Sequence, residues 1–390
     1  MSMKLNINIY TEVNQVISRL NNQHRWISMI TEHKYNELSK QALNSMISYV
    51  IACYCENDGQ EIKWERFPRI ALYRAFYKSY VSYATPEQIL KEICEMGNID
   101  KSAFDAATRA IISERTDRDF MQFISQDCDT FEYRIFRAAT KIATLIELKE
   151  QAVWIRNNEE ISLKTKEVIK SLTEFLDIKV IRELLQENNS VFKIFQRISM
   201  LRNSNRWAAF PYIVHCNVLG HLFDTAIFAY FIGLEEFGGN EEIATKMFFM
   251  GIYHDIAEAW TTDIPSDIKD RITGFREATE KFEDLKLQKY VYDVIPHFLK
   301  RKIKEVMFEE EDNLQYKKLM KGADYLSADS ECWRQFVAGS RETYFLTSPI
   351  KGFDIQLMSG YKAKLPHLAR ELHDKFMRYA EQIVVMLPVF

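Results

Sequence analysis

Met250-Gly251-Ile252-Tyr253-His254-Asp255-Ile256-Ala257-Glu258 sets an adjacent His and Asp, with a Glu three residues on, inside an otherwise apolar run. The pattern around it predicts a helix. Asn240 stands where an N-cap belongs, Glu241 and Glu242 occupy the positive first turn, and Ile243, Met247, Met250 and Ile256 suit a core-facing stripe. On such a helix His254 and Glu258 share a face, and Asp255 is turned by roughly 100° but precedes Glu258 by three. A carboxylate on a packing face is costly unless something neutralises it, and a divalent cation is the natural neutraliser.

Two further segments supply matching ligands. His221 lies in Asn217-Val218-Leu219-Gly220-His221-Leu222-Phe223-Asp224, and Asp324 lies among small and apolar neighbours in Lys321-Gly322-Ala323-Asp324-Tyr325-Leu326-Ser327-Ala328. His221, His254, Asp255 and Asp324 together form a mixed N/O set suited to one divalent ion: Mn, Co, Fe, Zn or Mg. A second His-Asp pair, His373-Asp374, reads as a solvated helix surface.

Composition points to a helical, soluble class. The chain has 390 residues, long for a single core, with only 12 glycines and 8 prolines and little period-two alternation, so an all-α fold in two domains is expected. With 51 basic against 55 acidic residues and a net charge of -4, there is no strong nucleic-acid signal. Met46–Cys55 and Ala226–Leu234, the longest apolar stretches, read as buried helices, and no membrane association is expected. The six cysteines lack a CxxC pair, which fits a reducing, cytoplasmic location.

The chain also resembles itself. Val13–Trp26 (VNQVISRLNNQHRW) and Ile194–Trp207 (IFQRISMLRNSNRW) share seven identities at a displacement of 181, including Arg25/Arg206 and Trp26/Trp207. A polar seam at 186–190 separates the copies. The first copy lacks the polar cluster: Ala75, Phe76 and Ser79 stand opposite His254, Asp255 and Glu258, and, with small gaps, Lys40 and Thr140 stand opposite His221 and Asp324. The expected architecture is therefore a degenerate helical domain at 1–187 and a metal-binding one at 188–390.

Asn205-Arg206-Trp207, His221, the run YHDIAEAWTTDIPSDIK from Tyr253 to Lys269, and KGADYLSADSE from Lys321 to Glu331 resemble the HD-domain phosphohydrolases, specifically the YfbR-like 5'-deoxynucleotidase branch. The resemblance covers roughly 190 to 345. It implies a metal-dependent phosphohydrolase acting on deoxynucleoside 5'-monophosphates, with His221, His254, Asp255 and Asp324 on the metal. By the same resemblance Glu258 is the acid/base group, Arg206 grips the phosphate, and Trp207 and Asp263 help define the sugar pocket. Arg206 and Trp207 also admit a purely structural reading, because Arg25 and Trp26 survive in the copy without ligands. Gly220 departs from the branch, which usually has Glu before the first ligand; sugar or base preference is the property this touches. Alternatives are a deoxynucleoside triphosphohydrolase using the same site, or a nucleotide-sensing or interaction protein whose Arg25/Trp26 lobe binds a ligand. Single-copy relatives tend to be dimers, so the fused copies are expected to form an intramolecular pseudo-dimer.

Overall fold

The computed structural model describes residues 5–386 except 27, 28, 30, 32–34, 83, 84, 86, 156, 157, 209, 210, 263, 265, 308–313 and 341–364. Among the described residues there is no sheet; the only β-type pairings are the bridges His24–Asn36 and Asn205–Asn217. Ten helices carry the argument: α1 (Ile7–Asn22), α2 (Glu37–Asn57), α3 (Arg66–Tyr80), α4 (Phe131–Trp154), α5 (Ser190–Ser199), α6 (Val218–Glu236), α7 (Glu241–Tyr253), α8 (Glu258–Thr261), α9 (Leu314–Val337) and α10 (His367–Met386).

The two apolar stretches singled out in the sequence lie within the central helices. α2 and α6 are buried on nearly every side and pack against each other. α4 packs on α2, α7 and α9 pack on α6, and α1 reaches across to α10. One continuous hydrophobic cluster runs from Ile9 to Phe376, so the segments 1–187 and 188–390 share a core. Among the described residues α6 alone has the length and mean hydropathy of a membrane span, yet 94% of that window is buried inside the protein.

Local chemistry sets the helix starts. Asn36 and Asn217 cap α2 and α6 through their side-chain oxygens, accepting from Ser39 N–H and Gly220 N–H respectively. Asn240 caps α7 as its position suggested. Ser39 Oγ donates to Asn217 Oδ1 at 2.9 Å, tying the two starts together. The seam at 186–190 falls between the end of a short helix at Leu184 and the start of α5 at Ser190.

The expected helix through Glu258 is interrupted. α7 ends at Tyr253, residues 254–257 form tight turns, and the one-turn helix α8 begins at Glu258. The reason is local: His254 Nδ1 bonds the Gly251 carbonyl at 2.8 Å, the acceptor that a continuing helix would offer to the Asp255 N–H. His373 also departs from expectation. It is buried on α10, with Nδ1 2.6 Å from the buried Asp329 carboxylate, because the face it occupies packs on α9 and not on water.

Glycine governs the α6–α7 approach. A Cβ at Gly251 would come within 2.6 Å of Ala226 Cα, and one at Gly233 within 2.8 Å of Ala244 Cα. These are backbone contacts that cannot yield without moving a helix. Gly251→Ala is therefore expected to cost about 1–3 kcal/mol, seen as a lower melting temperature.

Lys40 is a second buried oddity, only 5% exposed on α2. Burial, assisted by Arg25 and Lys78 and opposed by Glu147 and Glu37, pulls its ammonium down to about 7. The unfolded chain then binds the extra proton between roughly pH 7 and 10.5. Lys40→Met should melt higher than the parent, and the gap should be widest below neutrality and narrow as pH rises through that window.

Candidate metal centre

Four elements build the cluster. His221 is on the first turn of α6, buried, and its ring lies 5.6 Å, centroid to centroid, from that of His254 at the end of α7. Asp255 follows in the turn, and a ligand atom from each of His221, His254 and Asp255 lies within 4.8 Å of the others. Asp324 on α9 adjoins them: its Oδ1 is 3.0 Å from His221 Nε2, and Lys321 Nζ is 2.5 Å from its Oδ2. Glu258 opens α8, and its N–H donates to the Asp255 carbonyl at 3.1 Å, which holds it on the same turn.

The donor set fits a cation. His254 donates from Nδ1 to the Gly251 carbonyl, which leaves Nε2 as the lone-pair nitrogen. That Nε2 is buried and makes no hydrogen bond, although Asp255 Oδ2 is 3.0 Å away. An unsatisfied imidazole nitrogen beside carboxylates is what a divalent ion of the Mn–Zn series would complete.

Electrostatics agree. Burial pushes the Asp255 carboxyl up, but the adjoining His254 ring holds it down at about 2. Asp324 is likewise held well below the usual carboxylate range, with Lys321 and His221 overcoming its burial. His221 loses by burial and by its proximity to Arg206, yet its bonds to Asp324 and Glu331 raise it to about 9. The cluster thus keeps both carboxylates ionised, each paired with a neighbouring basic group.

A residue that sequence reasoning missed organises the site. Glu331, buried on α9, accepts from Arg206 Nε at 2.9 Å and from Trp207 Nε1 at 2.8 Å through one oxygen. Its other oxygen is 3.3 Å from His221 Nδ1, beside Ser327 Oγ at 2.9 Å. Glu331 therefore turns His221 so that Nε2 faces the cluster. Burial opposes its ionisation, but Arg206 and His221 hold it at about 2. A signal existed: the displacement of 184 that sets Asp324 opposite Thr140 also sets Glu331 opposite an identical Glu147.

The N-terminal half builds the same clamp. Arg25 Nη2 and Trp26 Nε1 both donate to Glu147 Oε2, at 3.0 and 2.9 Å. Trp26 and Trp207 both sit in the left-handed region, at φ 61° and 63°, where a bulky residue is strained. The supporting backbone bonds match as well: Arg25 N–H to Tyr35 O at 2.8 Å, and Arg206 N–H to Cys216 O at 3.0 Å. Arg206 and Trp207 thus carry the structural role the sequence allowed, in contact with the metal-type cluster through Glu331.

A Cβ at Gly220 would meet Leu38 Cδ2 at 3.2 Å, so this position faces α2, and a Glu there would strike that helix. Asp263 lies outside the described residues.

An all-α bundle that gathers two imidazoles and two carboxylates where three helices meet defines a class: a helical domain with a candidate divalent-metal centre. Residues 193–353 match the family model described as 5'-deoxynucleotidase YfbR-like. Among curated relatives, the 5'-deoxynucleotidase YfbR of Shigella boydii serotype 18 is 28% identical over 151 residues, covering 38% of this chain and 75% of the relative. The proteins of that name from Escherichia coli strains match with the same identity and coverage.

Replacing Glu331 by Gln should loosen both tasks at once. Metal affinity is expected to fall about 10–100-fold by titration with Mn²⁺ or Co²⁺, together with a drop in melting temperature from the unneutralised Arg206.

Proposed function

We propose that the chain is a metal-dependent phosphohydrolase releasing phosphate from deoxynucleoside 5'-monophosphates. The observation carrying this reading is the convergence of His221, His254 and Asp255, with an unsatisfied His254 Nε2, inside a segment similar to 5'-deoxynucleotidases. His221, His254, Asp255 and Asp324 would hold one divalent ion. Bound there, it supplies Lewis acidity toward a phosphate ester and toward water.

The chain's own groups do the rest. Glu258, at the head of α8 and three residues beyond Asp255, would take a proton from the attacking water and return it to the leaving 5'-oxygen. The Arg206 guanidinium, fixed by Glu331 beside His221, adds positive charge where phosphate oxygens gather. Trp207, locked by the same carboxylate, and Asp263 would bound the sugar. The N-terminal half, 1–187, is read as a degenerate copy that packs against the active half as its permanent partner, an intramolecular pseudo-dimer. All six cysteines are unpaired, in keeping with a cytoplasmic enzyme.

Assays with deoxynucleoside monophosphates and triphosphates, each with Mn²⁺, Co²⁺, Zn²⁺ or chelator, test the reading. Inorganic phosphate should appear from the monophosphates only with metal, and Asp255→Asn should cut turnover by at least about 100-fold while weakening metal retention. Full turnover and metal content in that variant, or triphosphate released from the triphosphates alone, would refute the assignment.

A further inference from the structure

The N-terminal half contains a half-open cavity of about 1740 Å³ that the catalytic reading does not use. Its lining is mixed in charge, with Arg25, Lys40, Arg74, Lys78 and Lys141 beside Trp26 and carboxylates that include Glu37, Glu87 and Glu174. Lys40 stands four residues after the cap Asn36 on α2, as His221 stands four residues after the cap Asn217 on α6. Where the C-terminal half presents a ligand for a cation, this half presents the cation itself.

The charges there are not evenly matched. Among the described residues Lys40 Nζ has one hydrogen-bond partner, the neutral Thr144 hydroxyl at 2.5 Å. The carboxylates nearest to it are already engaged: Glu37 accepts from Arg25 at 2.9 Å and from Gln41 at 2.7 Å, and Glu147 takes Arg25 and Trp26. Elsewhere in the lining Arg74 and Lys78 share the single carboxylate oxygen Oε1 of Glu87, Lys78 at 2.6 Å. Lys141, half-buried on α4, adds another cation to the same space. A buried ammonium bonded only to a hydroxyl is expensive, and an anion in the cavity would remove that cost. The volume exceeds what inorganic phosphate fills, and Trp26 and Tyr77 offer aromatic surface for a base.

We propose that this cavity is a second, non-hydrolytic site that binds a nucleoside phosphate, with Lys40 and Lys141 meeting its phosphate in place of a metal ion. Hydrolysis is not expected, because Ala75, Phe76 and Ser79 replace the groups corresponding to His254, Asp255 and Glu258. The inference stands on the geometry of the N-terminal half and does not depend on turnover in the other.

The test is calorimetric titration of the full-length, metal-chelated chain with deoxyadenosine monophosphate and with inorganic phosphate. Nucleotide binding is expected, weakened by at least about tenfold in Lys40→Met and in Lys141→Met, with the ligand recovered intact. Two variants guard against misfolding, which melting curves report, and Lys40→Met is the one expected to gain stability. Absence of nucleotide binding, or binding at parental strength in both folded variants, overturns the proposal.

Discussion

The approach of α6 and α7 is the constraint on which the rest depends. Helices ordinarily pack with their axes 8–10 Å apart, as their contact side chains allow. Here Gly251 lies against the Ala226 backbone and Gly233 against that of Ala244, so the pair closes with almost no side chain between. The closure brings the end of α7 beside the start of α6, and His254 beside His221. Gly251 serves twice, because its carbonyl also orients the His254 ring and ends the helix so that Asp255 turns into the cluster. Packing and chemistry are thus joined at one residue without a side chain.

A second layer is the carboxylate clamp repeated in both halves. Buried ion pairs contribute little net stability, since desolvation offsets attraction, but removing one partner is costly. Glu147 and Glu331 are better understood as devices that specify geometry: each takes an Arg and a Trp held in a strained backbone conformation. In the C-terminal half the clamp extends to His221 and so to the candidate metal centre. In the N-terminal half Glu147 acts by charge on the buried Lys40.

Much of this was legible in the chain. The helical class followed from scarce glycine, scarce proline and little period-two alternation, and the cap Asn240 is a short-range signal that survives any packing. His254 and Asp255 stood out because a polar pair in an apolar run needs a reason. The same local logic failed where burial is decided by distant chain. His373 looked solvated because its partner Asp329 is 44 residues away. Glu331 escaped notice because nothing in its own neighbourhood says that one carboxylate will serve Arg206, Trp207 and His221.

Sequence by itself therefore determined the helices, their starts, the matched Arg-Trp segments and the kinds of ligand available, since these follow from contacts within a few residues. Tertiary structure alone decided that His221, His254 and Asp255 meet with Asp324 against His221, that Gly220 faces Leu38, and that Lys40 is buried with a neutral partner. Those outcomes rest on how closely helices far apart in the chain can approach. Shape and volume across the interface set that distance, and no local pattern encodes it.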